Sequence, residues 1–139
     1  MDSALTYQAY YTKSNPILNY MIGMLHFKPH DRILEPCGGD GVFVDKILES
    51  APNVQINIFE LNPSAVAGLK SKYSLKTCIS VKETDTLLDE TILECSQRYD
   101  KIIGNPPYGA RNDERKKELL GKLYSALYTK ESYTLFLYA

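Results

Sequence analysis

Short apolar segments of strand type alternate with amphipathic helical segments along most of this 139-residue chain. The strand-type runs lie at 32–35, 54–60, 77–81 and 100–104, and apolar residues recur at helical spacing between them. This β-α-β-α-β-α-β order predicts an α/β fold, with a parallel sheet and helices on both faces, because parallel neighbours need long crossover connections. Ligands bind such sheets at the carboxyl ends of the strands, so functional residues are expected there.

A helix is predicted before the first strand. Ser14 and Pro16 form a helix-start signal, and apolar residues then recur at helical spacing. We therefore expect an N-terminal helix over 15–27 and a sheet core from residue 31. Neither a repeat nor a low-complexity linker divides the chain, which predicts one domain over 1–139.

Composition excludes several classes of protein. The formal net charge is −1, so a nucleic acid would have to be held by local basic patches rather than by a global field. No apolar run approaches the roughly 20 residues that span a bilayer, and no leader-type segment opens the chain, which predicts a cytoplasmic protein without membrane contact. The three cysteines lack C-x-x-C spacing, and Pro29 separates His26 from His30, so we expect no metal site.

A glycine-rich turn, EPCGGDGVF, follows the first strand at 35–43. Glycine tolerates unusual dihedrals and has no side chain, so the backbone can approach a ligand closely. The turn has neither the G-x-G-x-x-G of dinucleotide enzymes nor the Lys-Ser/Thr of a P-loop, which favours a nucleoside without phosphates. Glu60 ends the second strand near the offset of an acid that accepts hydrogen bonds from ribose hydroxyls. A purely structural turn and a solvated strand end are the alternatives.

The tetrapeptide Asn105-Pro106-Pro107-Tyr108 follows the fourth strand. The two prolines fix the backbone, so the side-chain oxygen of Asn105 and the carbonyl of Pro106 can be held as paired acceptors for an amino group. Tyr108 offers a face for stacking a planar ring, worth about 1–3 kcal/mol per base. A group transfer to the nitrogen of such an amino group needs orientation more than a strong base. The alternative is a rigid turn with a packing tyrosine.

A basic segment comes directly after the tetrapeptide. Arg111, Arg115 and Lys116 are candidates for holding phosphates around a bound nucleotide. Acidic residues, among them Asp113 and Glu114, interleave with these cations. A solvated charged helix or a loop is therefore an equally good interpretation of the segment.

With these motifs in place, the chain resembles the amino-methylating DNA methyltransferases of restriction-modification type. The resemblance implies a Rossmann-like S-adenosylmethionine-dependent methyltransferase fold with a partial parallel sheet. It also implies methyl transfer from S-adenosylmethionine to the N6 amino group of adenine in DNA, after the base has been flipped out of the duplex. Asn105, Pro106, Pro107 and Tyr108 match the catalytic motif of that family in full.

The resemblance assigns further residues to the cofactor. Tyr11 and Thr12 resemble an N-terminal motif that contacts the methionine carboxylate, and Asp85 resembles the acid that accepts a hydrogen bond from the adenine amino group. The family usually has Gly before this Asp, where the chain has Thr84. Phe136 resembles part of the family's segment that packs against the adenine ring of the cofactor. The cofactor-binding set implied in full is Tyr11, Thr12, Glu35, Pro36, Gly39, Gly41, Phe43, Glu60, Leu61, Asp85, Thr86 and Asn105.

The family's later strands and its target-recognition domain are not found among these residues. We therefore expect an incomplete catalytic domain, a fragment of a longer enzyme with little or no activity of its own. Methylation of an RNA base or of protein glutamine is an alternative that uses the same tetrapeptide, although Glu35, Pro36 and Phe43 favour DNA. A non-catalytic scaffold that binds the cofactor is a second alternative.

Overall fold

The computed structural model describes residues 14–94, 98–107 and 113–124. A short 3-10 turn, Thr86–Leu88, lies between the third strand and the fourth helix. Helices and strands alternate as predicted. In chain order they are α1 (Asn15–Met24), β1 (Arg32–Glu35), α2 (Val42–Ser50), β2 (Gln55–Glu60), α3 (Pro63–Lys72), β3 (Ile79–Glu83), α4 (Glu90–Leu93), β4 (Lys101–Ile102) and α5 (Glu114–Leu123).

The four strands form one parallel sheet in the order β3-β2-β1-β4. The chain moves outward from β1 through β2 to β3, and β4 then pairs on the opposite side of β1. The direction of winding therefore reverses between β1 and β4. In this architecture the carboxyl ends of those two strands frame the ligand-binding crevice. The parallel sheet confirms the predicted α/β class.

The core lies on the two central strands, which are covered on both faces. In a strand that is covered on both faces, successive side chains are all buried. Residues 33–36 are accordingly buried without interruption. Helix α2 contributes the fully buried Val44 and Ile47, and α1 contributes Leu18 and Ile22. Both helices belong to one core cluster with Ile33 and Ile56 of the sheet, and the carboxyl edge is left for the connecting loops.

Several boundaries differ from the sequence prediction. Strand β3 begins and ends two residues later than the predicted 77–81. The helical segment between β3 and β4 is divided into the 3-10 turn and α4. The division arises because each part has its own N-cap. The side chain of Asp85 accepts a hydrogen bond from Leu87 N–H at the start of the 3-10 turn, and that of Asp89 accepts one from Thr91 N–H at the start of α4.

Helix α1 begins at Asn15, as predicted, but ends at Met24 rather than at residue 27. His26 and His30 have φ of 46° and 70°, so both lie in turns beyond the helix. Within the described part of the chain, no helix has the length and apolar character that crossing a membrane requires.

Gly38 lies directly against the end of β2. Its N–H donates to the carbonyl of Phe59 at 3.0 Å. A Cβ at this position would lie 2.3 Å from Ile58 Cγ2 and 3.1 Å from Leu69 Cδ1, both in buried side chains. The turn therefore packs on the sheet at a distance that only glycine allows.

We predict that Gly38→Ala lowers the free energy of unfolding by about 1–3 kcal/mol, because the methyl group overpacks a closed core. Gly68→Ala is the matched control, since a Cβ at Gly68 meets nothing within 4 Å in helix α3. The control should raise stability by up to about 1 kcal/mol, the helix preference of Ala over Gly. Urea denaturation of both variants checks this, and equal effects would contradict the packing described.

Candidate active site

Three loops meet at the carboxyl edge of the sheet. Gly104, after β4, approaches Pro36, after β1, so closely that a Cβ would lie 2.9 Å from Pro36 Cδ. The hydroxyl of Thr86, after β3, donates to the carbonyl of Pro36 at 2.6 Å and is buried. Asn105 follows Gly104 and is half-buried. The structure thus brings the start of the predicted catalytic motif beside the glycine turn.

Glu60 connects the end of β2 to the glycine turn. Its Oε2 accepts a hydrogen bond from Gly39 N–H at 2.8 Å, and its Oε1 accepts one from Asn62 N–H at 2.7 Å. A carboxylate has about four acceptor positions, so both oxygens keep capacity for a ligand's hydroxyl groups. Leu61, the next residue, is exposed.

Glu35, at the end of β1, is a buried carboxyl group. It is 1% exposed, and its Oε2 has no hydrogen-bond partner within the described residues. Burial raises the pKa of Glu35 well above its usual value, and the negative charges of Asp40 and Glu60 raise it further. An unsatisfied buried oxygen that is costly to leave unpaired suits a cationic or hydrogen-bond-donating ligand.

Cys37 lies within the same turn and is partly buried. Burial raises the pKa of its thiol, and the negative charges of Glu60, Glu35 and Asp85 act in the same direction. The thiol form is therefore favoured.

The underside of the glycine turn is held by the C-terminal end of α3. The Tyr73 hydroxyl lies 2.9 Å from the carbonyl oxygen of Gly41 and 2.8 Å from Asp45 Oδ1. Lys72 Nζ lies 2.9 Å from the carbonyl oxygen of Asp40 and 2.6 Å from Asp45 Oδ2. Sequence reasoning missed this cluster because the partners are 27 to 32 residues apart. We name Lys72, Tyr73 and Asp45 the turn support.

Asp85 caps the 3-10 turn and also pairs with a cation. Its Oδ1 accepts a hydrogen bond from Leu87 N–H at 3.2 Å, while its Oδ2 lies 2.5 Å from Lys116 Nζ in α5. The Asp85 side chain is 17% exposed and that of Lys116 is 25% exposed, so water shields the pair only in part.

Helix α5 packs on the same 3-10 turn. Leu120 is fully buried against Leu87, and the Tyr124 hydroxyl donates to the Leu87 carbonyl at 3.0 Å. Part of the basic segment forms helix α5, Glu114–Leu123. Arg115 is exposed on it, whereas Lys116 contacts Asp85.

Asp89 anchors the loop that carries Asp85. Its carboxylate accepts hydrogen bonds from Thr84 and Thr91, and Lys82 Nζ lies 2.7 Å away. Burial alone would raise the pKa of Asp89, but the hydrogen bonds from Lys82, Thr91 and Thr84 outweigh it and lower the pKa to about 2. No sequence motif indicated this residue.

The structure describes most of the predicted site residues. Phe43 is 3% exposed within the hydrophobic core, so its side chain packs against the core. In the part of the chain that the structure covers, no group of three or more His, Cys, Asp or Glu residues is placed to hold a metal ion. The predicted site residues outside the described ranges are Tyr11, Thr12, Tyr108, Arg111 and Phe136.

The fold matches solved methyltransferase structures. A dimethyladenosine transferase from Plasmodium falciparum superposes with a TM-score of 0.60 at 21% identity, over 84% of this chain and 38% of that one. The chain therefore has the Rossmann-like fold of the S-adenosylmethionine-dependent methyltransferases, as the sequence predicts.

Residues 43–139 match the model of the Eco57I restriction-modification methylase family. This match covers more than half of the chain, so the chain belongs to that family. Family membership and fold together identify S-adenosylmethionine as the cofactor. The unpaired Oε2 of Glu35 and the spare acceptor positions of Glu60 fit a ligand that carries an ammonium group and ribose hydroxyls.

Two curated relatives are methyltransferases of different kinds. The ribosomal RNA small subunit methyltransferase A of Prochlorococcus marinus is 28% identical over 84% of this chain. The type II methyltransferase M.AccI of Acinetobacter calcoaceticus is 29% identical over 76% of it. The chain spans 40% of the length of the first relative and 20% of the length of the second.

We predict that Tyr73→Phe weakens the turn support without disturbing its packing. The ring stays, but the hydroxyl contacts to Gly41 and Asp45 are lost, which should cost about 1 kcal/mol of folding stability. The loosened turn should also bind S-adenosylhomocysteine several-fold more weakly in calorimetry. Tyr20→Phe is the control, because Tyr20 is 69% exposed on α1 and its variant should match the wild type. Unchanged affinity in Tyr73→Phe would remove Tyr73 from the support of the site.

We predict that Asp89 makes the stability of the fold depend on pH in the acidic range. Its pKa is lower in the folded chain, about 2, than the roughly 3.9 of an unfolded Asp. The ionised carboxylate therefore stabilises the fold above about pH 4, and this contribution is lost as the pH falls through 2.

Asp89→Asn keeps a capping side chain but removes the charge. It should lower the free energy of unfolding by about 1–2 kcal/mol at pH 7, and the difference from wild type should shrink as the pH approaches 2. Urea denaturation between pH 2 and pH 7 measures this. Glu90→Gln, an exposed neighbour, is the control, and a pH-independent difference in Asp89→Asn would contradict the low pKa.

Proposed function

We propose that this chain is the cofactor-binding and catalytic segment of an enzyme that methylates the N6 amino group of adenine in DNA. The observation that carries the proposal is the position of Asn105 and Pro106 beside the glycine turn, at the switch point between β1 and β4. Membership of a restriction-modification methylase family supports DNA as the acceptor.

The cofactor would lie across the three loops at the carboxyl edge of the sheet. Glu60 would accept hydrogen bonds from the ribose hydroxyls through the positions that Gly39 and Asn62 leave available. Asp85 would accept one from the adenine amino group. The unpaired Oε2 of Glu35 would face the positively charged methionine end, where a cation favours the ionised carboxylate.

The remaining cofactor contacts follow from positions in the same loops. Gly39 and Gly41 have positive φ, and their missing side chains allow close approach of the backbone. Pro36, Phe43, Leu61 and Thr86 stay predictions, with Phe43 contributing its backbone because its ring is buried. Tyr11 and Thr12 also stay predictions for the methionine carboxylate.

The proposed chemistry depends on orientation. S-adenosylmethionine supplies a methyl group activated by a sulfonium. The side-chain oxygen of Asn105 and the carbonyl of Pro106 would accept hydrogen bonds from the two amino hydrogens of the base, which directs the nitrogen lone pair at the methyl carbon. Tyr108 would stack on the ring. The two oxygens also stabilise positive charge as it develops on the nitrogen, so no general base is required at this step.

The acceptor base must leave the duplex to reach this pocket, at a cost of a few kcal/mol. Arg111 and Arg115 are proposed to bind phosphates around the flipped nucleotide, since Arg115 is exposed on α5. The enzyme is proposed to act in the cytoplasm, with DNA as its partner.

An RNA acceptor is the second candidate. It is favoured by the similarity to a ribosomal RNA small subunit methyltransferase over 84% of the chain. The amino group, the two hydrogen-bond acceptors and the cofactor would be the same for either nucleic acid. The loops described above therefore do not distinguish DNA from RNA as the methyl acceptor.

The experiment uses the full-length protein that carries this segment. Radiolabelled S-adenosylmethionine is supplied with duplex DNA or with small-subunit ribosomal RNA, and the digested nucleosides are separated by chromatography. We expect label in N6-methyldeoxyadenosine. Label in ribosomal N6-methylated adenosine alone would favour the RNA candidate, and label in neither would contradict both.

In the same assay Asn105→Ala should lower kcat by about 100-fold or more, because one of the two acceptors is lost. Asn19→Ala, on the exposed side of α1, is the matched control and should leave the rate unchanged. A normal rate in Asn105→Ala would remove Asn105 from the catalytic site.

A further inference from the structure

Lys116 forms an ion pair with Asp85, the residue that is proposed to recognise the cofactor's adenine. Oδ2 of Asp85 lies 2.5 Å from Lys116 Nζ, and Oδ1 is used by the backbone of Leu87. By contrast, Lys122 pairs with Glu118 of its own helix, and both side chains are about 70% exposed. Lys116 is thus held over the site, whereas Lys122 belongs to a solvated helix surface.

The position of Lys116 is fixed by the rest of α5. Asp113 caps the helix by accepting a hydrogen bond from Lys116 N–H at 2.7 Å. One turn further on, Leu120 packs against Leu87, and the Tyr124 hydroxyl bonds to the carbonyl of Leu87. The helix that carries the cation is therefore docked on the turn that carries Asp85.

We infer that Lys116 competes with the adenine amino group of the cofactor for Asp85, so that cofactor binding releases Lys116 to a phosphate of the nucleic acid acceptor. The inference rests on the role proposed for Asp85. Leu87 N–H bonds to Oδ1 and Lys116 Nζ lies directly against Oδ2, so an amino group that approaches Oδ2 has to displace the ammonium group. A released lysine beside the loop that carries Asp85 then matches the charge of a phosphate backbone.

This exchange couples the two ligands. Because the cofactor frees the cation that the nucleic acid uses, each ligand should strengthen the binding of the other by the same factor. Lys116 is in this view a positioning residue that acts through Asp85, and its removal should change the coupling as well as the affinities.

The first test measures cofactor recognition by calorimetry on the 139-residue chain. Lys116→Met keeps a long side chain and removes the charge. It should bind S-adenosylhomocysteine about 3- to 10-fold more tightly, the value of one net hydrogen bond. S-inosylhomocysteine, which carries an oxo group in place of the amino group, should show no gain. Lys122→Met should match the wild type with both ligands.

Two results would overturn the inference. One is unchanged or weaker binding of S-adenosylhomocysteine by Lys116→Met, and the other is an equal gain with both ligands. Asp85→Ala, which has no acceptor, separates this failure from that of the proposed site. If Asp85→Ala keeps the wild-type preference for the amino-bearing ligand, the role of Asp85 is wrong and the inference fails with it. Failure of the chain to bind S-adenosylhomocysteine would overturn both.

The second test measures the coupling with a fluorescently labelled duplex oligonucleotide. Fluorescence anisotropy gives its affinity for the full-length protein with and without saturating S-adenosylhomocysteine. Wild type and Lys122→Met should bind the oligonucleotide about 3-fold or more tightly with the cofactor product present. Lys116→Met should show no such enhancement, and an enhancement equal to that of wild type would overturn the exchange.

Discussion

The close contact between the glycine turn and strand β2 determines the position of most other site residues. Gly38 has no room for a Cβ beside Ile58, and its N–H reaches the carbonyl of Phe59. This contact leaves Gly39 N–H within hydrogen-bond distance of Glu60. A side chain at position 38 would move the turn off the sheet and separate the loops that follow β1 and β2.

Connections between loops make the site a single unit. Thr86 joins the loop after β3 to Pro36, and the close approach of Gly104 joins the loop after β4 to the same residue. Tyr73 supports the turn from α3. Each contact links segments that are distant in sequence but come from rigid elements, which is how a binding site is held in its productive geometry before the ligand arrives.

The sequence predicts those parts of the fold that depend on local patterns. The continuous apolar run at β1 and the alternation in β2 identify the strands, and the prolines and glycines identify the loops. Sequence patterns also place Asn105 at a strand end, although they do not reveal that β4 pairs with β1. Strand order is decided by the packing of the whole sheet, and sequence periodicity contains no information on it.

Other features depend on pairs of residues that no motif connects. Lys116 follows Asp85 by 31 positions, and its sequence context suggests a solvated charge rather than an ion pair in the site. The low pKa of Asp89 results from three donors that converge only in the folded chain. Such contacts have no periodicity, so they are found only when the loops are assembled.

The protonated thiol of Cys37 has a consequence for a chain whose cofactor is an alkylating reagent. S-adenosylmethionine transfers methyl groups to good nucleophiles, and a thiolate is a far better nucleophile than a thiol. Burial and the surrounding carboxylates raise the pKa of Cys37, so the sulfur stays in its unreactive form. Burial, together with the acidic lining of the turn, thereby disfavours methylation of Cys37 by the cofactor.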